Sequence, residues 1–545
     1  MANIFNVGSS ALNALQRAIS TTGNNIANVN TEGYSRQSVE FQSRTPVTIG
    51  GHRFGTGLEI SSIRRAYDEF LTADVQARTS SSGYYSLYST TAEQIDNLMA
   101  DPAASISSAM DQFFAAMEAV ANSPTSQPER QVMLSEAKTL TNRFQYVDGR
   151  LSELAENINE QMSVFILDIN QYAQDIAQLN QQISRLERVP GGSPNDLLDQ
   201  RDQAMESLSK LVRVETRLQD DGSMNVFTSS GHRLVSQSGA ETLRMSSAPQ
   251  PDGPVRLYIS APGGADTEIT GLSLGGELGA AMDVSTNVID RARRDIGLLA
   301  VGFTETFNTQ HKAGDTLNQV AGSEFFTSIT PVTTASPLNS GTTNVSIVID
   351  DATQMTGASY QIDYTDSVVT ITNLSTNATQ EINGTTVSID GLTFTVSPFS
   401  NLTDGDRFLV ESTGRAASSM AVAITDTSDI AAANSGGNVG DNRNMLSLIA
   451  LREANNLKDG TKSVYDIYNN AVSQVAVDTR SARANADTEL SLLQSVTDRR
   501  DGITGVNLEE EAANLIRFQQ AYQAAAQIIT TANDVFDTLL RAASR

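Results

Sequence analysis

Apolar residues recur with a seven-residue rhythm at both ends of the chain. Near the start, Phe5, Leu12, Leu15, Ile19, Thr22, Ile26 and Val29 are spaced by seven, three, four, three, four and three positions. That spacing puts them on one side of a helix, as the a and d positions of a coiled-coil seam. Charge is sparse there, Arg17 being the only formally charged side chain before Glu32. The end of the chain repeats the pattern through Leu508, Leu515, Phe518, Tyr522, Ala525, Ile529, Ala532, Phe536 and Leu539. Asn507 is placed to cap this helix; Glu509, Glu510 and Glu511 suit the positive end of its dipole, and Arg541 and Arg545 the other end. Helices this plain are marginal alone in water, because their stability comes from packing the stripe. Both therefore call for partners, either each other or neighbouring chains.

The interior changes character several times. Residues 45–63, glycine-rich and alternating, predict short strands or an extended loop. Residues 66–187 read as mostly helical, with breaks near Ser80 to Gly83, at Asp101–Pro102, and from Ser123–Pro124 to Pro128. The longest stripe lies here, through Ile158, Met162, Phe165, Ile169, Tyr172, Ile176, Leu179, Ile183 and Leu186. At 1.5 Å per residue it spans roughly 40 Å, the length of a rod. Val189 to Gly192 ends it, and Ser193–Pro194 reads as the cap of the next helix with proline just inside.

A β-rich patch follows at 212–270, with Asp221–Gly222 as a hairpin turn, and helix returns over 278–309. A Thr/Asn/Ser-rich segment then alternates with period two: Val345, Ile347 and Ile349 form one run, Ile362 and Tyr364 another, and Asp390–Gly391 marks a hairpin. From Ala416 the pattern predicts helix to the end, broken at Ser435 to Asn444 and at Asp501 to Gly505. The expected fold class is multidomain α+β, with paired coiled-coil-like terminal helices, a long helical-bundle middle and an inserted all-β part. The domains drawn from this are 1–35 with 505–545 for terminal assembly, 36–319 with 414–504 for the helical middle, and 320–413 for the β insertion.

Composition narrows the function. The 545 residues carry 37 basic and 63 acidic side chains, a formal charge of −26, without a basic block. Nucleic acid and anionic membranes would be repelled. A helix lying on a membrane surface wants a strongly basic face, and residues 1–31 offer one arginine. Cysteine is absent, which removes disulfides, thiolate zinc sites and thiol nucleophiles together. The first twenty residues lack the basic start and apolar run of a secretory signal, and no stretch reaches the ~18 apolar residues of a membrane span.

Catalytic and ligand-binding candidates are few. Gly271-Leu-Ser273-Leu-Gly275 matches the nucleophile-elbow pattern, but the preceding Asp266 to Thr270 is too polar for the buried strand that turn requires. Only His311 could serve Ser273, so a hydrolase remains a rival without a scaffold; a glycine-rich linker accounts for the match. His52, His232 and His311 are scattered, and Asp350–Asp351 and Asp404–Asp406 sit beside turn residues where aspartate serves the backbone. No phosphate-cradling glycine loop is present. Neither a metal nor a cofactor is expected.

Six segments carry a resemblance. Ala11-Leu-Asn-Ala-Leu-Gln-Arg-Ala-Ile-Ser20, Asn24-Asn-Ile-Ala-Asn28 and Asn30-Thr-Glu-Gly-Tyr-Ser-Arg36 resemble the rod, hook and hook-associated proteins of the bacterial flagellum. Many members have proline after that threonine; Glu32 stands here, which fits the hook-associated branch better than hook or distal rod subunits. Gly505-Val-Asn-Leu-Glu-Glu-Glu511, running through Leu515, Phe518, Gln519 and Tyr522 to Thr531-Ala-Asn533, is similar to the family's closing motif. Ser193-Pro-Asn-Asp-Leu-Leu-Asp-Gln-Arg-Asp202 and Asp441-Asn-Arg-Asn444 are similar to hook-associated members, whereas the resemblance is weak or absent over 320–413. The resemblance implies a structural subunit between hook and filament, exported without a cleaved signal and working outside the cell. It implies self-association in a ring, with hook protein, hook-associated protein 3 and an export chaperone at the C-terminal helix as further partners. The assembly residues it points to are Leu12, Leu15, Ile19, Ile26, Leu508, Leu515, Phe518, Tyr522, Ile529, Phe536 and Leu539, ordered and buried when copies pack.

Overall fold

The structure, a computed structural model, describes residues 2–49, 52–101, 105–189, 194–246, 255–261, 263–269, 273–336, 339–382 and 384–543. Helix α1 (Ala2–Ala27) leads into a two-stranded antiparallel ribbon of β1 (Gln37–Ser43) and β4 (Leu58–Arg65). The far end of the ribbon carries the small hairpin of β2 (Val47–Ile49) and β3 (His52–Phe54). Helices α2 (Glu69–Ala100), α3 (Ile106–Asn122) and α4 (Gln127–Glu187) follow. The break expected at Ser80 to Gly83 is absent, and α2 runs straight through it. Small residues there serve close packing instead: a Cβ on Gly83 would lie 2.8 Å from the Lys210 carbonyl oxygen. Helix α4 has 61 residues, roughly 90 Å of rod. Its stripe is buried at Ile158, Met162, Ile169, Ile176 and Ile183, half-buried at Phe165, Tyr172 and Leu179, and exposed at Leu186.

Helix α5 (Asn195–Leu211) begins after Pro194, so the proline precedes the helix and does not sit inside it; Ser193 lies outside the described residues. Next come a four-stranded sheet of β5 (Val214–Leu218), β6 (Met224–Thr228), β7 (Arg233–Ser236) and β8 (Gly239–Ala240), in that order, and a three-stranded one. The latter holds β9 (Thr242–Met245), β10 (Leu257–Ser260) and β11 (Asp266–Glu268), with β10 central. The turn expected at Asp221–Gly222 joins β5 to β6, with Gly222 at φ +78°, where glycine is favoured.

Helix α6 (Gly276–Val284) passes through a π-turn into α7 (Asp290–Lys312), and β12 (Gly314–Asp315) follows. Strands β13 (Val332–Ala335), β14 (Asn344–Ile349), β15 (Ser359–Thr365), β16 (Val368–Asn373), β17 (Thr379–Ile382), β18 (Thr386–Ile389), β19 (Leu392–Ser397) and β20 (Arg407–Glu411) form two sheets, ordered β13-β20-β15-β16-β17 and β14-β19-β18. Val345, Ile347, Tyr360, Ile362, Phe394, Val396, Phe408 and Val410 alternate inward, as period two demands. The entry strand β13 pairs directly with the exit strand β20, Val332 opposite Glu411.

The helix predicted from Ala416 onward is realised only in pieces: α8 (Ala416–Ser419), α9 (Arg443–Ala450), α10 (Val464–Thr504) and α11 (Leu508–Ala543), with β21 (Ala433–Asn434) pairing β12. Between α8 and α9, side chains take the backbone groups that a helix would use. Buried Arg130 donates to the carbonyls of Pro124 at 2.6 Å, Thr427 at 3.1 Å and Ile430 at 2.8 Å. Ala431 N–H donates to His311 Nε2 at 2.9 Å, so Nδ1 carries the proton that meets the Ser323 carbonyl at 2.7 Å. Burial pushes the His311 imidazole down to about 4, which keeps it neutral. It stacks with a cluster of buried rings, Phe113, Phe303, Phe307, Phe325 and Phe326, at the centre of the helical part. The turn expected at 501–505 falls later, at Gly505 to Asn507, because α10 continues to Thr504.

Glu411, at the end of β20, packs beneath α7, where burial pushes its carboxyl up to about 7. Arg293 and Arg294 pull it down, while Asp290 and Asp148 add to the rise. Between the ordinary carboxylate range and pH 7 the unfolded chain is ionised here and the folded chain is not. Folding therefore takes up a proton, and this group's contribution to stability declines as pH rises through that window. Glu411→Gln is expected to melt higher than the parent at pH 8, by on the order of 2 kcal/mol, and level with it at about pH 4. Melts of both proteins at the two pH values test this; equal curves at pH 8 would refute it.

Candidate assembly interface

Helices α1 and α11 lie antiparallel against each other. Phe5 meets Phe536 edge-on with ring centroids 6.5 Å apart, Gly8 faces Ile529 and Ala525, and Asn25 faces Glu511. The contact is close because its centre is small. A Cβ on Gly8 would come within 2.6 Å of Ile529 Cγ1, and Ala14, Ala18, Ala525 and Ala532 are all buried. Leu15 is buried with them. Leu12, Ile19, Ile26, Leu515, Phe518, Tyr522 and Ile529 are half-buried along the edges, and Leu508, Phe536 and Leu539 are exposed. The seam is thus turned about one residue from the line of large side chains, which flank it. Both helices are formed and paired within a single copy, so this part of the stripe is quenched by the chain itself.

Not all of the apolar surface is covered. From the register of Gly8 on Ile529, α11 continues past the start of α1 by roughly two turns, carrying Leu539 and Leu540 with it. Ile516, Ile528 and Val535 are also exposed. A groove of about 480 Å³ opens between the two helices, walled by Ile4, Phe5, Ala524, Ile528, Thr531 and Val535.

The other end of the pair is closed by a polar joint. Asn25 Nδ2 donates to the Gln37 carbonyl at 2.8 Å and to Glu511 Oε2 at 3.0 Å. Its Oδ1 accepts from Tyr34 Oη at 2.7 Å and from Gln37 N–H at 3.0 Å. Burial first, then Asp199 and Glu511, push the Tyr34 hydroxyl up to about 12, so it remains a donor. Arg36 pairs with Glu510 at 2.9 Å, and its N–H donates to the Thr504 carbonyl at 2.8 Å. Asn507 caps α11 as expected, accepting from Glu509 N–H at 3.0 Å.

The 193–202 segment ties this joint to the body. Asp199 accepts from Ser35 N–H at 3.1 Å and from Arg65 at 2.9 Å, and Asp202 accepts from Arg65 at 2.6 Å. Asn195 donates to the Ile63 carbonyl, and Arg201 bridges Asn180 of α4 to the Gly222 carbonyl. In the 441–444 segment, Asn442 donates to the Ala121 carbonyl and Asn444 to that of Ala431. Asn25, Tyr34, Asp199 and Glu511 escape a search for apolar periodicity because they are polar. Their only sequence signal is that each lies inside a motif that carries the resemblance.

The hydrolase pattern does not assemble. Gly271 and Leu272 lie outside the described residues, the Ser273 carbonyl accepts from Ser229 Oγ, and both His311 nitrogens are held by backbone groups. Among the described residues, no three His, Asp or Glu side chains are grouped to hold a metal, and no helix is long and apolar enough to cross a membrane.

A chain that folds its two extremities into one pair, and leaves apolar residues beyond it, has the build of an axial subunit of a polymer. Comparison with known proteins agrees. Residues 5–34 match the family described as flagella basal body rod protein, and 503–542 match flagellar basal body rod FlgEFG protein C-terminal. Residues 92–326 match flagellar hook-associated protein FlgK helical domain. The chain is 34% identical over 551 residues to flagellar hook-associated protein 1 of Escherichia coli strain K12, covering 99% of this chain and 100% of that protein. It is 24% identical over 564 residues to the protein of the same name from Bacillus subtilis strain 168, covering 97% and 96%. The chain belongs to the flagellar hook-associated protein 1 family, whose members are structural subunits of the bacterial flagellum at the hook–filament junction. Its fold is that of the flagellar hook junction protein FlgK from Burkholderia pseudomallei, with a TM-score of 0.72 at 22% identity over 79% of this chain and 100% of that one. Full-length similarity to this family displaces the hook and distal-rod alternatives.

Asn25 is the test of the joint. Asn25→Asp keeps the shape but sets a second carboxylate against Glu511 and removes a donor. A loss of about 2–3 kcal/mol is expected, with faster hydrogen exchange along α11. Unchanged exchange in α11 would show that the joint does not hold the pair.

Proposed function

We propose that this chain joins hook to filament by packing copies of its α1–α11 pair side by side into a ring, outside the cell. One observation carries the reading: α11 presents exposed Ile528, Val535 and Phe536 where its inner face is already occupied by α1, and exposed Leu539 and Leu540 beyond it. A surface helix in an isolated globular protein would show polar residues there. Clustered apolar residues on such a face mark an interaction site. The interface consists of Leu12, Leu15, Ile19, Ile26, Leu508, Leu515, Phe518, Tyr522, Ile529, Phe536 and Leu539, the half-buried members completing their burial between copies.

In this reading the chain has three parts. Residues 1–35 with 505–545 form the packing unit, 36–319 with 414–504 the helical middle, and 320–413 the outer β insertion. Hook protein and hook-associated protein 3 are the neighbours on the two sides. The overhanging turns of α11 are the surface an export chaperone would cover before assembly. The chain catalyses nothing, since Ser273 and His311 serve the fold.

The pair of substitutions Val535→Asp and Leu539→Asp separates stability from assembly. Both side chains are exposed in the single copy, so the melting free energy should stay within about 0.5 kcal/mol of the parent. Filament attachment should be lost, and filament subunits should appear in the medium. Normal filaments in cells carrying only this double variant would defeat the proposal.

A further inference from the structure

The β2–β3 hairpin takes no part in anything described so far. Val47 and Phe54, opposite each other in its register, are 49% and 45% exposed. The neck of the ribbon is fastened to α1. Ser10 Oγ accepts Leu58 N–H at 3.2 Å, and a Cβ on Gly57 would lie 2.0 Å from that same oxygen and 3.2 Å from Val7 Cα. Ser10 follows Gly8 by two residues, about 200° around the helix. Gly8 faces α11 and Ser10 does not, so the neck of the ribbon is held on a flank of α1, and further along the ribbon Phe41 meets Phe518 of α11 edge-on with centroids 6.1 Å apart.

The groove between α1 and α11 opens at the same height. Ile4 in its wall is one turn from Val7, where the ribbon is attached, and its lining comes entirely from the two helices. Ile4 is 49% exposed, Ile528 47% and Val535 48%. One copy therefore has an apolar knob on one flank of the helix pair and an open apolar groove between the helices, at one level along the axis. The two patches lie on different sides of α1 and are unoccupied by each other.

We infer that the β2–β3 knob of one copy seats in the α1–α11 groove of the next copy of this chain. This rests on the assembly role proposed above and names its contact. Charge agrees with the pairing. Arg53 adjoins Phe54 at the tip, and Asp534 stands one turn beyond Thr531 at the groove's edge. Neither has an ion-pair partner among the described residues. Seating the knob brings the two opposite charges together. A contact between two different patches is head-to-tail, and its repetition under rotation generates a ring or a helical row rather than a closed dimer.

The absence of cysteine makes the test direct. Phe54→Cys and Ile528→Cys are introduced together in the full chain, and isolated flagella are treated with a short bifunctional maleimide. A ladder of linked copies is expected from the double variant in flagella, with none from either single variant and none from dilute monomer. A second pair, Phe5→Cys with Phe536→Cys, reports the helix pair within one copy. If that pair links and filaments are attached, yet the first pair gives no ladder, the knob-in-groove contact is wrong while the assembly role stands. Linkage of Phe54→Cys to Ile528→Cys within one monomer would also overturn it. If the cysteine substitutions themselves prevent attachment, charge reversal decides. Arg53→Glu alone should lose attached filaments and Arg53→Glu with Asp534→Arg should regain them; a double variant no better than the single refutes the contact.

Discussion

Asn25 and Glu511 meet in a space closed to water, 486 positions apart in sequence. Around them the apolar seam is shallow, built from glycine and alanine, and such a surface would tolerate a slip along the helices. A buried polar residue in a helical seam selects one register, because every other setting leaves donors without acceptors. Asn25 fills four hydrogen bonds at once and fixes how the beginning and end of the chain are aligned. The height of the ribbon, the length of the α11 overhang and the mouth of the groove all follow from that alignment.

The body of the protein is attached to this joint through arginines that reach across elements. Arg65 joins the ribbon to α5, Arg201 joins α5 to α4 and the β5–β6 turn, and Arg130 joins two carbonyls of the segment before α9 to that of Pro124 before α4. Each draws together segments far apart in sequence and uses backbone or carboxylate oxygens that would otherwise be buried without donors. Such contacts are worth more as constraints on geometry than as net stability, since bringing a guanidinium out of water offsets much of the gain.

Much of the fold was legible because its elements obey simple periods. The seven-residue rhythm located α1, α4 and α11, and alternation located β14, β15 and the Asp390–Gly391 hairpin. The failures have a common physical cause. Ser80 to Gly83 reads as a break by propensity, yet the small residues are there to let α2 approach Lys210. The stretch after Ala416 reads as helix, yet Arg130, His311 and Asn444 claim its backbone from a distance. For the assembly face, the stripe already held the buried Leu15, Thr22, Ala525 and Ala532, but not Gly8, Ala14 and Ala18, which are buried beside it. The polar joint and Ile516, Ile528, Val535 and Leu540 lie off the stripe altogether. Local sequence carries no trace of a partner that arrives from hundreds of residues away.

The β insertion enters on β13 and leaves on β20, and the two strands are neighbours in one sheet. Its two ends are therefore a strand spacing apart, about 5 Å, whatever lies between them. Material added to or taken from this module leaves the spacing of the flanking helices untouched. That independence lets the module change in size or surface without disturbing the helices from which it springs.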